Sequence, residues 1–128
     1  MVKIINPKSL AVPKGYNHGV LANGFLFIAG QIAWDKDCRI VSDDFVKQFE
    51  KALSNVLEVA KAAGSGPDKI VQMNIFVKDK NEYLTKAKEI GKVYRSLAGK
   101  HFPAMCLLEV KDLLEEGAKV EIQAIAAV

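Results

Sequence analysis

Glu121 is the residue most suggestive of chemistry. It interrupts an apolar run, Val120-Glu121-Ile122, near the C-terminus. In a strand its side chain points away from the faces of Val120 and Ile122. Such a carboxylate either meets solvent on an edge strand or serves as a general acid/base in a cleft. Gly30-Gln31 ends an apolar run, and a glycine there permits close approach of another group. Tyr16, after Gly15, can turn its hydroxyl toward a pocket or pack as a core aromatic with a wet tip. Trp34, the single tryptophan, lies just beyond Gln31 and reads as an anchor, for a neighbour or for its own domain. Met105 and Cys106 are adjacent in a strand and face opposite ways. Cys106 reads as an inert buried thiol.

Several chemistries lack their signatures. No glycine-rich phosphate loop, Cys-x-x-Cys or His-Glu-x-x-His is present, so no cofactor and no metal are expected. His18 and His101 are far apart in sequence, and no further ligands can be nominated. Two cysteines are too few for a disulfide framework and fit a reducing, cytoplasmic setting. No secretory leader is evident. The uncharged stretch from Gly15 to Trp34 carries too many glycines and polar groups for a membrane span. A net charge of +3 is too small to indicate nucleic acid or a membrane surface. The basic residues between Lys78 and Lys100 read as a solvated helix face.

The elements that must hold these residues follow from apolar period. The 128 residues, half of them hydrophobic, suit one domain over 1–128. Val2–Ile5, Tyr16–Leu21 and Phe25–Ala29 read as strands, the last two joined by an Asn23-Gly24 turn. Ser42-Asp43-Asp44 starts a helix whose apolar stripe is Phe45, Phe49, Leu53, Val56, Leu57 and Ala60. Ile70–Lys78 alternates as a strand. Asn81–Leu97 reads as a second helix, buried through Leu84, Ala87, Ile90, Val93, Tyr94 and Leu97. Ala104–Val110 and Lys119–Val128 complete a β-β-β-α-β-α-β-β order. This is an α+β, mixed sheet of about six strands with two helices on one face. The other sheet face needs a cover, which a second copy of the chain can supply.

These residues resemble the RidA/YjgF family of reactive-intermediate deaminases, also labelled endoribonuclease L-PSP. The matching pieces are Gly15-Tyr16, Gly19-Val20, Ala29-Gly30-Gln31-Ile32, Ala52-Leu53-Ser54-Asn55-Val56 and Phe76-Val77-Lys78-Asp79. Phe102-Pro103-Ala104, Glu109-Val110 and Val120 to Ala126 continue the match in order. The resemblance implies a chorismate-mutase-like fold and a homotrimer with a central barrel and ligand clefts between subunits. It implies hydrolysis of enamines or imines to ammonia and a keto acid. It places the acid/base on Glu121, the pocket tyrosine on Tyr16 and the pocket backbone glycine on Gly30.

One position departs from the family. Its Phe/Pro-Ala-Arg motif clamps a substrate carboxylate, and here Met105 stands at the arginine position. A thioether cannot make the bidentate pair of a guanidinium. Leu107 replaces a common cysteine, and a pocket asparagine of the second helix has no clear match near Ala87 and Lys88. The expected activity is therefore a deaminase-like hydrolase with a non-standard substrate, such as 2-aminomuconate. Lys14, His18 or His101 is the candidate replacement cation. A non-catalytic trimer that binds a small molecule is the alternative, and ribonuclease action ranks third.

Overall fold

A computed structural model describes all 128 residues. The strands are β1 (Val2–Ile5), β2 (Gly19–Ala22), β3 (Phe25–Gln31), β4 (Ile70–Val77), β5 (Ala104–Glu109) and β6 (Val120–Ala127). They form one mixed sheet in the order β1-β2-β3-β6-β4-β5. All pairs are antiparallel except β4 with β5, whose helical crossover permits parallel pairing. The helices are α1 (Phe45–Ala62), α2 (Lys80–Thr85) and α3 (Ala87–Ala98), with a short 3-10 turn at Pro67–Lys69. None is long and apolar enough to cross a membrane.

The expected Asn23-Gly24 turn is present. Both residues have positive φ, 52° and 78°, which suits the twist of a tight hairpin. Helix α1 begins where expected because the Asp44 side chain accepts from the Lys47 amide at 2.9 Å. Its stripe Phe45, Phe49, Leu53, Val56 and Ala60 is buried, while Val59 is more deeply buried than the expected Leu57. This stripe packs on Leu26, Ile28, Met73, Ile122 and Ala124 of the sheet.

Two boundaries differ from expectation. The second helix is two helices, so the sheet carries three rather than two. The break falls at Lys86, whose ψ of 12° ends α2 and opens α3. Ile90, Tyr94 and Ala98 recur at four-residue spacing and are buried. Leu84 lies six residues before Ile90, about 120° out of phase, and is exposed, as is Ala87. The second difference is at Tyr16, which precedes β2 instead of opening it. Asn6 takes the place of a strand partner here. Its Oδ1 accepts from the His18 amide at 2.8 Å, and its Nδ2 donates to Asn17 Oδ1 at 3.0 Å.

The sheet face opposite the helices is uncovered within one chain. Val2, Ile4, Phe25, Phe27 and Leu108 are exposed on it.

Candidate active site

A cavity of about 350 Å³ lies where β3 ends and β6 begins. Tyr16, Gly30, Gln31, Trp34 and Glu121 all line it. Residues from distant parts of the chain are thus gathered at one end of the sheet.

Glu121 pairs with Phe76 and therefore sits on the uncovered face. The β3–β6 register shifts between Ile28 and Gln31, and this irregularity brings Gly30 under the Glu121 side chain. A Cβ at Gly30 would lie 2.5 Å from Glu121 Oε2. Glycine leaves the space that the Glu121 carboxyl occupies in this position, and any side chain at 30 would displace it. Burial pushes the Glu121 carboxyl above its ordinary range, because the charged form loses water without gaining a cationic partner. A carboxyl that keeps its proton closer to neutral pH is suited to donating it. Burial, and secondarily the Cys38 thiol, raise the Tyr16 hydroxyl, so it remains a neutral hydrogen-bonding group.

His18 builds the inner wall. Its Nε2 lies 2.7 Å from the Ala11 carbonyl, which only accepts, so Nε2 carries the proton. Its Nδ1 then accepts from Gln31 Nε2 at 3.1 Å, and Gln31 also donates to the Ala29 carbonyl. Gln31 is thereby buried as a brace for β3 and His18. The Tyr16 ring meets the His18 ring edge-on at 5.5 Å. Both His18 nitrogens are engaged with the protein, so it is not a free cation able to stand in for the missing arginine. His101 is likewise tied to the Ile70 carbonyl at 2.7 Å, and neither it nor Lys14 lines the cavity.

Two residues of α1, Gln48 and Asn55, organise the loops around the cavity. Asn55 Nδ2 donates to the carbonyls of Ile32 and Trp34, at 3.1 and 3.0 Å. These bonds fix the loop that carries Trp34. That loop closes further through Asp35, which accepts from the amides of Asp37 and Arg39. Buried Gln48 donates to the carbonyls of Ser42 and Gly117 and accepts from the Lys119 amide. It thereby ties α1 to the 111–118 loop, whose Leu114 and Glu115 form the rim. Asn55 stood inside a family-like run, but its role depends on loops far away in sequence. Leu114 and Glu115 carried no motif signal. The Trp34 indole N–H and Asn55 Oδ1 are buried without partners.

Met105 is not in this cavity within one chain. It pairs with Met73 on the helix-covered face, while Glu121 lies on the other face. As the outermost strand, β5 leaves Met105 43% exposed. Cys106 is exposed as well, contrary to the buried thiol expected, and its Sγ donates to Asn74 Oδ1 at 3.1 Å. The reason is the uncovered face, which leaves strand side chains open. No group of three or more His, Cys, Asp or Glu side chains could hold a metal.

The chain matches the family described as endoribonuclease L-PSP over residues 7–128. It is 35% identical to the RutC family protein UK114 of Drosophila melanogaster over 126 residues, covering 97% of this chain and 88% of that one. It is 30% identical to human 2-iminobutanoate/2-iminopropanoate deaminase over 112 residues, covering 87% of this chain and 78% of that one. The crystal structure of YyfA from Yersinia pestis, described as a Rid-family protein of unknown function, superposes with a TM-score of 0.89 at 32% identity, covering all of both chains. The expected fold and the resemblance read from the motifs are therefore both met, and the chain belongs to the RidA/YjgF (endoribonuclease L-PSP) family.

Proposed function

We propose that this protein is an enamine/imine deaminase-like hydrolase with a non-standard substrate, acting as a homotrimer. The family includes imine deaminases, one human relative being named as such. The observation that carries the reading is Glu121, a carboxyl held against Gly30 and pushed toward its protonated form at a cavity of ligand size.

The chemistry needs little machinery. Water adds to the C=N carbon of an imine, giving a carbinolamine. Protonated Glu121 gives its proton to the imine nitrogen as water adds and takes one back from that water. It then protonates the amine as the C–N bond breaks and recovers the proton of the carbinolamine hydroxyl. Imine and water become a carbonyl compound and ammonia, and the carboxyl is regenerated. Tyr16 and the Gly30 backbone orient the ligand, and Trp34 supplies an apolar wall.

The opposite facing of Glu121 and Met105 supports the trimer. No single copy can place both in one cleft, whereas the β5 edge of one copy against the open face of another can. Exposed Phe25, Phe27 and Leu108 gain a cover in such an arrangement.

The arginine missing at position 105 supports the altered substrate. A charge-assisted hydrogen bond is worth roughly 1.5–3 kcal/mol, so its loss weakens handling of small 2-imino acids by at least about tenfold. 2-Aminomuconate, named above as an example, fits poorly, since its carboxylates need cations that the cavity lining does not contain. That same lack favours one second reading, a trimer that binds a small molecule without turnover. RNA cleavage draws no support from the two histidines, both of which hold backbone carbonyls.

Ammonia release from 2-aminoacrylate and 2-aminomuconate tests the proposal, with E121Q as the control. Turnover that vanishes in E121Q supports the hydrolase. Turnover retained in E121Q removes the glutamate from its role. Fast turnover of 2-aminoacrylate by the natural protein contradicts the shifted substrate range.

A further inference from the structure

We infer that this cavity selects an uncharged or cationic ligand, a C=N or amine head on an apolar body without a carboxylate. The inference rests on the reading of this cavity as the ligand site.

The lining residues carry no lysine or arginine, and they include two carboxyls, Glu115 and Glu121. His18 adds no available positive group, since its protonated nitrogen faces the Ala11 carbonyl and its other nitrogen faces Gln31. Three salt bridges exist in the chain, and none involves either cavity carboxyl. An anion entering the cavity therefore meets two carboxyl groups and no counter-charge, and a like charge brought toward Glu115 in a partly desolvated site is repelled.

The rest of the wall favours an apolar body. Leu10, Tyr16, Ile32, Trp34 and Leu114 supply most of it, and about 350 Å³ accommodates a ring-sized group. A cationic head beside Trp34 and Tyr16 gains from the negative ring faces as well as from the acids.

The β5 strand through which a second copy would complete the cleft brings no cation. The strand reads Ala-Met-Cys-Leu-Leu-Glu and contains no basic residue. Met105, exposed on that edge, would extend the apolar wall, while Leu107 packs against the core of its own chain. The polarity of the site is thus the opposite of one built around a guanidinium clamp.

The test uses one ring with three head groups: benzylamine, benzamide and benzoate, each titrated into the assembled protein by calorimetry at millimolar concentration. Benzylamine and benzamide are expected to bind, with benzoate at least about tenfold weaker. In E115Q the gap is expected to narrow, through tighter benzoate binding. Benzoate binding as tightly as either neutral or cationic partner overturns the inference. So does an unchanged gap in E115Q, or failure of all three to bind. The titrations read charge preference in a catalyst and in a simple binder alike. Loss of the hydrolase reading, through activity retained in E121Q, therefore leaves this result separately decided.

Discussion

The cavity end of the sheet and the β5 edge are built to different standards. Around the cavity, buried polar side chains are braced by the protein. His18, Gln31 and Gln48 each bridge separate segments through two or more hydrogen bonds. Along β5, five of six residues are exposed, and the strand has a neighbour on one side only. An exposed, mostly apolar edge strand is a liability for a protein that stays monomeric. The comparison teaches that one chain sets the acid in a braced cavity and leaves an exposed edge, which the proposed trimer would cover.

The strongest way to break the comparison is G30V. A side chain there collides with the Glu121 carboxylate, so ammonia release should fall by about a hundredfold, the scale of a misplaced catalytic group. Circular dichroism should show the fold retained. A variant with normal turnover would mean that the acid needs no fixed position.

Next in size is Q48L. It leaves two part-buried carbonyls and one part-buried amide without the Gln48 side chain that pairs them. Denaturant titration should give a loss of about 3 kcal/mol, from about 1 kcal/mol for each of three part-buried groups, the low end of the range for unsatisfied groups. By contrast, M105A on the exposed edge should cost no more than about 1 kcal/mol in the isolated chain. Similar losses at both positions would erase the distinction between the two regions.

F27K addresses the uncovered face. Placing a charge where Phe27 is 47% exposed should disrupt assembly, seen by sedimentation, and abolish turnover without unfolding the chain. An active, assembled F27K protein would show that this face is free of subunit contacts.

The smallest effect is on stability against pH. The folded chain holds the Glu121 proton more tightly than the unfolded chain does. The native state therefore binds more protons between the ordinary carboxyl range and the raised value, and stability falls as pH rises through that window. E121Q removes this penalty. It should match the natural protein below the window and exceed its melting temperature above it. Equal melting temperatures throughout would show that the carboxyl is not desolvated in solution.

Much of this was legible in the residues. The hairpin followed from Asn23-Gly24, and α1 followed from Asp44 and a stripe at spacings of three and four. The uncovered sheet face followed from counting helices against strands. What stayed hidden depended on long-range geometry. The break at Lys86 reflects a change in which helix face meets the core. The register shift that brings Gly30 to Glu121 needs β6 beside β3, which no local pattern states. Asn55 and Gln48 look like ordinary polar helix residues until the loops they hold are in place. Tyr16, Gly30, Gln31, Trp34 and Glu121 were selected by motif, and they share one cavity. Met105 was selected with them and belongs, within one chain, to the other face.

The crystal structure of the assembled protein with benzamide bound is the most direct test of the central claim. The account predicts a trimer in which Glu121 of one copy and Met105 of the next face the same ligand from opposite sides. A monomer, or a Glu121 carboxylate open to bulk water with no second copy beside it, would contradict it.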